Sequence, residues 1–313
     1  MKAEVSVTQD DRSLSVLARA TRADVASDPY PHLMLEDALP DALCQALIDA
    51  YPAPAVVGAG ARSNQRWSMP TTAALASDGV PDIWKRFVDH HASPAFFSEV
   101  CDVFGDQIVE RYPTRFPDEA TLRAQRVGVR NRDVLRRQGP NASDSDVGVD
   151  LVLDAQIAGN TPVLAPSSVK TVHVDSGNKL FTALLYLRLP EDDATGGDLE
   201  VVRFRRDLTR AQYARRFDGM FVDDASVEHV RTVPYRRNVL FMFVNGPNAL
   251  HGVTVRQPTP HRRLFLNLVG EVKTPLFEVP QHWQTRLRKL PRLAQKRARK
   301  WFGLPALEPA QEA

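Results

Sequence analysis

Apolar residues recur at intervals of three and four along the first third of the chain, which is the spacing of one face of an α-helix. This spacing predicts helices at 39–48, 83–88 and 95–104. Ser93 is the predicted N-cap of the last of these, because proline, here Pro94, is favoured at the first helical position. Prolines exclude a helix at 29–35, which we predict to be an entry strand. Residues 1–27 are polar and predict an irregular arm or a short helix.

The pattern changes after a polar, turn-rich segment at 136–146. Short apolar runs, separated by Gly, Pro, Asn and Asp, then follow one another closely. They predict strands at 149–157, 169–174, 181–189, 199–204, 227–233, 238–244, 251–255 and 263–269. Many short strands at this spacing favour an all-β sandwich or barrel over a parallel α/β sheet. Residues 210–217 predict a short helix inside an insertion.

Length and composition place the chain among ordinary globular proteins. Its 313 residues are enough to bury a full core. The hydrophobic content of 43% and the charged content of 25% are ordinary for a globular protein. We expect a helix-rich support region at 1–148, a β core at 149–272 and a basic helical extension at 273–313. The fold class expected is α+β with a mainly β core.

Charge and cysteine content limit the expected partners and the expected cellular compartment. The net charge of +2 predicts no nucleic-acid partner. Cys44 and Cys101 lie in apolar segments and predict buried free thiols in a reducing compartment. Neither a secretory leader nor a membrane-spanning run is evident, so we expect a cytoplasmic protein. The oligomeric state is not predicted by any pattern.

The segment 283–302 concentrates positive charge beside apolar residues. Basic amphipathic helices bind anionic membranes or partners, which makes peripheral contact with the inner face of a membrane one interpretation. The alternative is a helix that supports the core and exposes its basic side to water.

Two histidines and one carboxylate carry the candidate chemistry. His173 and Asp175 stand two residues apart on a predicted strand, so both side chains project from the same face. His251 follows a later apolar strand and a turn, from which it can return to the same point. Two imidazoles and one carboxylate are the ligand set of a non-haem Fe(II) site that leaves one face of the metal open. Separately, a His-x-Asp tripeptide or a single histidine occurs by chance; their conjunction predicts the metal site.

Residues 149–272 resemble the double-stranded β-helix (jelly-roll) core of the 2-oxoglutarate/Fe(II)-dependent oxygenases, particularly the prolyl-hydroxylase-like branch. The matching motifs, in chain order, are 173–175, 184–187, 196–199, 240–243, 250–254 and 263–266. The resemblance implies that His173, Asp175 and His251 bind catalytic iron, and that 2-oxoglutarate and O2 are co-substrates.

The same resemblance implies an arginine on the last core strand that binds the distal carboxylate of 2-oxoglutarate. A guanidinium can pair with a carboxylate through two parallel hydrogen bonds. Arg263 fits the family pattern, and Arg262 is the alternative, since a shift of one residue exchanges the two faces of a strand. Tyr186 matches a tyrosine that bonds this carboxylate, although core packing is equally compatible with it. Thr182 and Asn267 are expected as polar neighbours.

The substrate is less constrained. We expect hydroxylation of an unactivated C–H bond in a small molecule or carbohydrate, and an anionic lipid-linked glycan such as a lipopolysaccharide sugar if the membrane interpretation holds. A peptidyl hydroxylase and a non-catalytic β-helix binding module are the alternatives. Five arginines of the insertion could meet an anionic substrate or form a solvated loop; they are Arg205, Arg206, Arg210, Arg215 and Arg216.

Overall fold

The computed structural model describes residues 12–136 and 148–279; in these ranges helices dominate the first part of the chain and strands the second. The helices are α1 (Asp41–Asp49), α2 (Thr71–Ala76), α3 (Asp82–His91), α4 (Pro94–Arg111), α5 (Glu119–Arg123) and α6 (Arg210–Ala214). The strands are β1 (His32–Leu35), β2 (Arg66–Met69), β3 (Val127–Val129), β4 (Leu151–Asn160), β5 (Lys179–Tyr186), β6 (Leu199–Phe204), β7 (Phe217–Asp218), β8 (Phe221–Val222), β9 (Val227–Val233), β10 (Val239–Val244), β11 (His251–Val253) and β12 (Arg263–Val272).

Two antiparallel sheets form the β core. The larger sheet has the order β1-β10-β5-β12-β4-β2, with β3 added in parallel to β4. The smaller sheet has the order β11-β6-β9, and residues 172–174 extend it beyond β11 through the bridge between His173 and His251. The order β10-β5-β12-β4 in one sheet and β9-β6-β11 followed by 172–174 in the other is the topology of a double-stranded β-helix. The predicted fold class, α+β with a jelly-roll core, is confirmed.

The larger sheet is buried on both faces, which explains its long apolar strands. On β12, Leu264, Leu266 and Leu268 pack with α1, α3 and α4 in the main hydrophobic cluster. The alternate residues of β12 face the smaller sheet, where Phe265 joins a second cluster with Phe241 and other residues. This alternation follows from the period-two geometry of a strand. One strand therefore supplies both a core face and a face for the site.

The predicted helices are present, with different ends. Ser93 caps α4 as predicted, since its hydroxyl accepts a hydrogen bond from Phe96 N at 3.3 Å. This helix continues to Arg111, well beyond the predicted end, because its buried side extends over the larger sheet. The short helix of the insertion ends at Ala214. Sequence patterns missed α2, α5, β2, β3 and the β7–β8 hairpin.

The predicted continuous strand at 169–174 is wrong in extent. That segment makes only isolated bridges, among them His173 with His251 and His173 with Phe221. Its partner β11 has three residues, so a longer ladder has nothing to pair with. Hydrogen bonds from Val174 N to Met220 O and from Val222 N to Val172 O, both 2.9 Å, attach the hairpin of β7 and β8 to its other edge. The segment is thus held from both sides.

Two of the predictions fall wholly or largely outside the residues that the structure describes. The predicted basic helix at 283–302 lies outside the described residues, as does most of the polar loop at 136–146. Within 12–136 and 148–279, no helix has the length and apolar character needed to span a bilayer. Cys44 and Cys101 are buried free thiols, as predicted, and burial raises the pKa of Cys44 to about 11.

Candidate metal centre

His173 and His251 face each other across a pair of antiparallel segments. Their backbones exchange two hydrogen bonds, His173 N to His251 O at 2.9 Å and His251 N to His173 O at 3.1 Å. Residues paired in this way project their side chains from the same face. The two imidazole centroids consequently lie 4.2 Å apart. Backbone pairing alone brings together two residues separated by 78 positions.

Backbone carbonyls fix the tautomer of both imidazoles. His173 Nδ1 lies 2.8 Å from Thr171 O, and His251 Nδ1 lies 3.1 Å from Ala249 O. A carbonyl oxygen can only accept, so each Nδ1 carries the proton and donates it. The lone pair of each neutral ring is then on Nε2, the atom left for a metal. Burial, the larger effect, and the nearby His251 and Lys170 lower the pKa of His173 to about 2. Burial also lowers the pKa of His251, so both rings are neutral at pH 7.

Asp175 completes the cluster with one oxygen engaged and the other directed at the histidines. Its Oδ2 accepts hydrogen bonds from Lys179 Nζ at 3.0 Å and from Thr182 Oγ1 at 2.9 Å. Its Oδ1 lies 3.8 Å from His173 Nε2 and 3.5 Å from Lys170 Nζ. Burial alone would raise the pKa of this carboxyl, but Lys179, His251 and Lys170 together hold it well below its usual value. Asp175 is therefore an anion in the folded protein.

These three side chains fit a divalent transition metal. One ligand atom from each lies within 4.8 Å of the others, and all three residues are buried. Among the residues that the structure describes, this is the only such group of histidine, cysteine and carboxylate side chains. Neutral imidazoles and an ionised carboxylate are the donor forms that a metal requires. Three protein ligands on one side leave the other coordination positions open, as Fe(II) oxygenase sites do.

A cavity of about 110 Å³ opens beside the cluster, between the two sheets. A space of this size holds several water-sized groups. Its wall is formed mainly by residues 169–175, β5, β11 and β12, with contributions from β2, β4, β6 and β10. The apolar part of the wall consists of Val169, Leu184, Leu199, Phe243, Val253 and Phe265. The cavity therefore joins the metal-type cluster to a largely enclosed space for a small molecule.

Arg263 projects into this cavity, whereas Arg262 is not part of its wall. Arg263 is 3% exposed, and its Nε and Nη2 find no hydrogen-bond partner among the described residues. Three aromatic rings surround the guanidinium, and the centroid of the Tyr186 ring is 4.8 Å away. A buried cation without an acceptor is unfavourable, so its unsatisfied donors indicate an anion that binds here. Strand alternation places Phe265 and Asn267 on the same face as Arg263, and all three line the cavity.

The other predicted co-substrate residues have specific positions near this arginine. The Tyr186 hydroxyl is fully buried and has no hydrogen-bond partner within the described ranges. Thr182 lines the cavity, but it donates its hydroxyl hydrogen to Asp175 and accepts from Asn245 Nδ2 at 3.3 Å. Asn267 Nδ2 donates to Gln156 Oε1 at 2.9 Å. Thr182 and Asn267 are thus tied to protein groups, whereas Tyr186 retains an unused hydroxyl.

Four polar cavity residues were missed by sequence reasoning: Arg66, Asn160, Lys170 and Lys179. The one available signal was the position of Lys170 and Lys179, which flank His173 and Asp175 in the chain. Arg66 and Asn160 reach the cavity through strand register. Arg66 on β2 pairs with Asn160 on β4, and Asn160 pairs in turn with Arg263 on β12. The five arginines of the insertion do not line the cavity. Arg205 instead pairs with Asp207 at 2.7 Å, and Arg216 lies 3.6 Å from the Tyr213 ring centroid.

Comparisons with known proteins give a distant likeness. No protein-family model matches the chain, and no curated protein matches it. A prolyl-4-hydroxylase from Pseudomonas putida is 13% identical, with 83% of this chain and 100% of that chain covered and a TM-score of 0.38. A prolyl 4-hydroxylase from Phytophthora capsici is 15% identical, with 87% of this chain and 68% of that chain covered and a TM-score of 0.37. A rice dioxygenase for auxin oxidation is 13% identical, with 90% of each chain covered and a TM-score of 0.39. These values are low, and the assignment of the fold rests on the strand order.

Proposed function

We propose that this protein is an Fe(II)- and 2-oxoglutarate-dependent dioxygenase that hydroxylates an unactivated C–H bond of a small molecule or carbohydrate. One observation carries the proposal. The neutral imidazoles of His173 and His251 and the carboxylate of Asp175 converge beside a cavity into which the buried, unpaired guanidinium of Arg263 projects. A metal-type ligand set and an anion receptor thus share one enclosed space.

The chain's own residues would perform three tasks. His173, Asp175 and His251 would hold Fe(II), with Thr182 and Lys179 fixing the carboxylate through its other oxygen. The resemblance set out above assigns Arg263 to the distal carboxylate of 2-oxoglutarate, and the Tyr186 hydroxyl is available to donate to the same group. When bound, Fe(II) and 2-oxoglutarate supply oxidising power from O2, with succinate and CO2 as co-products.

The apolar wall would exclude bulk water from the site. Phe243, Leu199 and Phe265 are each buried and line the cavity. Excluding water strengthens the interaction of charged groups inside the cavity, because less solvent screens them. The fixed tautomers of the two histidines also mean that no proton has to leave either ring at pH 7 before a metal binds.

The test is metal-dependent turnover of the co-substrate with a matched control. Purified protein with Fe(II) should convert 2-oxoglutarate to succinate and CO2, slowly alone and faster with a substrate. His173→Ala and His251→Ala should lose metal binding and this turnover by at least a hundredfold. His229→Ala, which alters an exposed histidine of the smaller sheet, should retain both.

Other outcomes would redirect the assignment. Turnover that persists unchanged in His173→Ala would overturn the proposal. Binding of metal and 2-oxoglutarate with no turnover under any substrate would instead favour a non-catalytic binding module. Stimulation of turnover by proline-containing peptides, but not by sugars or other small molecules, would favour a peptidyl hydroxylase.

A further inference from the structure

The cavity holds far more positive charge than the proposed chemistry uses. Four cationic side chains line it: Arg66, Lys170, Lys179 and Arg263. Asp175 is the single carboxylate among the described residues of its wall. A divalent metal and a dicarboxylate would cancel each other's charge. The cavity would then retain a surplus of three positive charges, which favours a further anion.

These four cations differ in their partners: two have an assigned partner, Lys170 shares Asp175 with the metal-type cluster, and Arg66 has none among the described residues. Lys179 is bonded to Asp175 Oδ2 at 3.0 Å, and Arg263 is assigned to the co-substrate. Lys170 approaches Asp175 Oδ1 at 3.5 Å, but this oxygen also faces His173 and is the one directed at the metal-type cluster. A divalent ion bound there would weaken the attraction that holds Lys170. Arg66 makes no ion pair with any residue of 12–136 or 148–279 and contacts the Phe265 ring, at 5.4 Å from the centroid.

Strand register places Arg66 and Arg263 on either side of a buried amide. Asn160 on β4 is the register partner of Arg66 on β2 and of Arg263 on β12, so all three side chains project from one face. Asn160 is 1% exposed and lines the cavity, yet neither its Nδ2 nor its Oδ1 has a hydrogen-bond partner among the described residues. Buried amides are normally hydrogen-bonded. Its unused donor and acceptor therefore indicate a polar ligand between the two arginines.

Exposure separates the two arginines into an inner and an outer position. Arg263 is almost fully buried, whereas Arg66 is exposed, and the Lys170 side chain is 33% exposed. A ligand that enters from solvent would meet Arg66 and Lys170 first. A small dicarboxylate bound to Arg263 and the metal would leave both of them free.

We propose that the substrate carries an anionic oxygen group, a carboxylate or a phosphate, that is bound by Arg66 and Lys170 and receives a hydrogen bond from Asn160. This substrate class rests on the proposed function, because it concerns the second ligand of the same cavity. A neutral molecule of the same shape leaves the surplus positive charge without a counter-charge, so it binds more weakly.

The experiment measures binding without turnover. Protein loaded with Zn(II) instead of Fe(II), and saturated with 2-oxoglutarate, is titrated by calorimetry with glucuronate, glucose 6-phosphate and glucose. The three probes share a sugar ring and differ in carrying a carboxylate, a phosphate or no charge. One anionic sugar is expected to bind at least tenfold more tightly than glucose, and its identity reports which anion the cavity prefers.

Variants tie this binding to the named residues. Arg66→Gln and Lys170→Gln should each weaken binding of the anionic sugar by fivefold or more, and Arg66→Lys should retain part of it. Arg62→Gln is the matched control, because Arg62 is exposed four residues earlier and lies outside the cavity wall. Zinc stoichiometry, measured for each variant, separates loss of the anion from loss of the metal.

The proposal is overturned if neither anionic sugar binds more tightly than glucose, or if Arg66→Gln binds them as the wild type does. Failure of the proposed function has a different signature. In that case 2-oxoglutarate itself does not bind, or its binding is insensitive to Arg263→Met, whereas Arg66-dependent binding of an anionic sugar can persist in the zinc-loaded protein.

Discussion

At the scale of the residue, Arg262 and Arg263 show how one position along the chain decides whether a side chain enters the cavity. The two side chains have the same chemistry, but only Arg263 lines the cavity. Its guanidinium is enclosed by aromatic rings and lacks acceptors for Nε and Nη2 within the described part of the chain. The sequence leaves open which of the two arginines enters the cavity, because the answer depends on strand register. The register of β12 with β4 places Arg263 in the cavity.

We expect Arg263→Met to weaken 2-oxoglutarate binding by about 10- to 100-fold, because hydrogen bonds to a charged group contribute about 1.5–3 kcal/mol. Arg262→Met should change the dissociation constant by less than about threefold, because Arg262 is half-buried outside the cavity wall. Calorimetry on the zinc-loaded proteins measures both constants. Equal losses in the two variants would contradict the assignment of the co-substrate to Arg263.

Thr182 gives a second prediction at this scale. Thr182→Val keeps the shape of the side chain but removes its hydrogen bond to Asp175 and the bond it accepts from Asn245. Groups that orient a metal ligand typically affect metal affinity by about 10–100-fold, and we expect a loss of about tenfold here. Competition with a chelator of known affinity measures it. Thr232→Val, on the smaller sheet, is the control, and an unchanged metal affinity in Thr182→Val would show that Asp175 needs no such support.

The metal-type cluster could be predicted from the sequence, whereas the outer part of the cavity could not. The two-residue spacing of His173 and Asp175 predicts that they share one face of a strand, and His251 follows a strand and a turn in the expected order. Asn160 and Arg66 belong to the cavity only because β2, β4 and β12 pair in one register. No local pattern encodes that register, since it depends on strands far apart in the chain.

At the scale of the element, burial on both faces removes the usual strand signal. β10 is apolar and buried at all six of its positions, so it has no alternation from which its register could be deduced. The helices cover the outer face of the larger sheet, and the second sheet covers its inner face. Conversely, 169–174 looked like a full strand because its residues suit one, but only a short partner is available.

The N-terminal arm is attached to α3 by a histidine whose protonation state matters. His91 is 1% exposed, its Nδ1 donates to Phe87 O at 2.7 Å, and its Nε2 accepts from Val16 N at 3.1 Å. Burial, with a smaller effect of His90, lowers the pKa of His91 to about 3. The ring must stay neutral to accept this hydrogen bond, because a protonated Nε2 would face another donor.

We therefore expect the attachment of the arm to weaken in acid. When the arm detaches, the pKa of His91 returns towards 6.5, so the open state binds more protons. The contribution of neutral His91 to the free energy of arm attachment is fully present above pH 6.5. It decreases as the pH falls towards 3, and about 2 kcal/mol is lost at pH 5. Hydrogen exchange of the Val16 and Leu17 amides, corrected for intrinsic rates, measures it. In His91→Gln this dependence should flatten, and an unchanged dependence would contradict its assignment to His91.

At the scale of the whole molecule, the described structure contains the β core and its helical support, and the basic segment 283–302 remains a sequence prediction. We expect the full chain to bind vesicles that contain phosphatidylglycerol and not vesicles of phosphatidylcholine alone, since each basic residue near an anionic surface contributes about 1 kcal/mol. Sedimentation with vesicles measures this. Replacing Arg292, Lys296, Arg297, Arg299 and Lys300 by glutamine should abolish it. Unaltered binding would place the contact elsewhere, and no binding by the wild type would leave the supporting helix as the better interpretation.

The attachment of the β7–β8 hairpin to residues 172–174 has a consequence for anyone who re-engineers this protein. Surface insertions are usually the parts that tolerate exchange between homologues or randomisation in a library. Here the inserted hairpin binds the outer edge of the His173 segment through the backbone hydrogen bonds of Met220 and Val222. Grafting a new loop between β6 and β9 would therefore displace His173 and disturb the metal-type cluster, unless the graft preserves those two backbone hydrogen bonds.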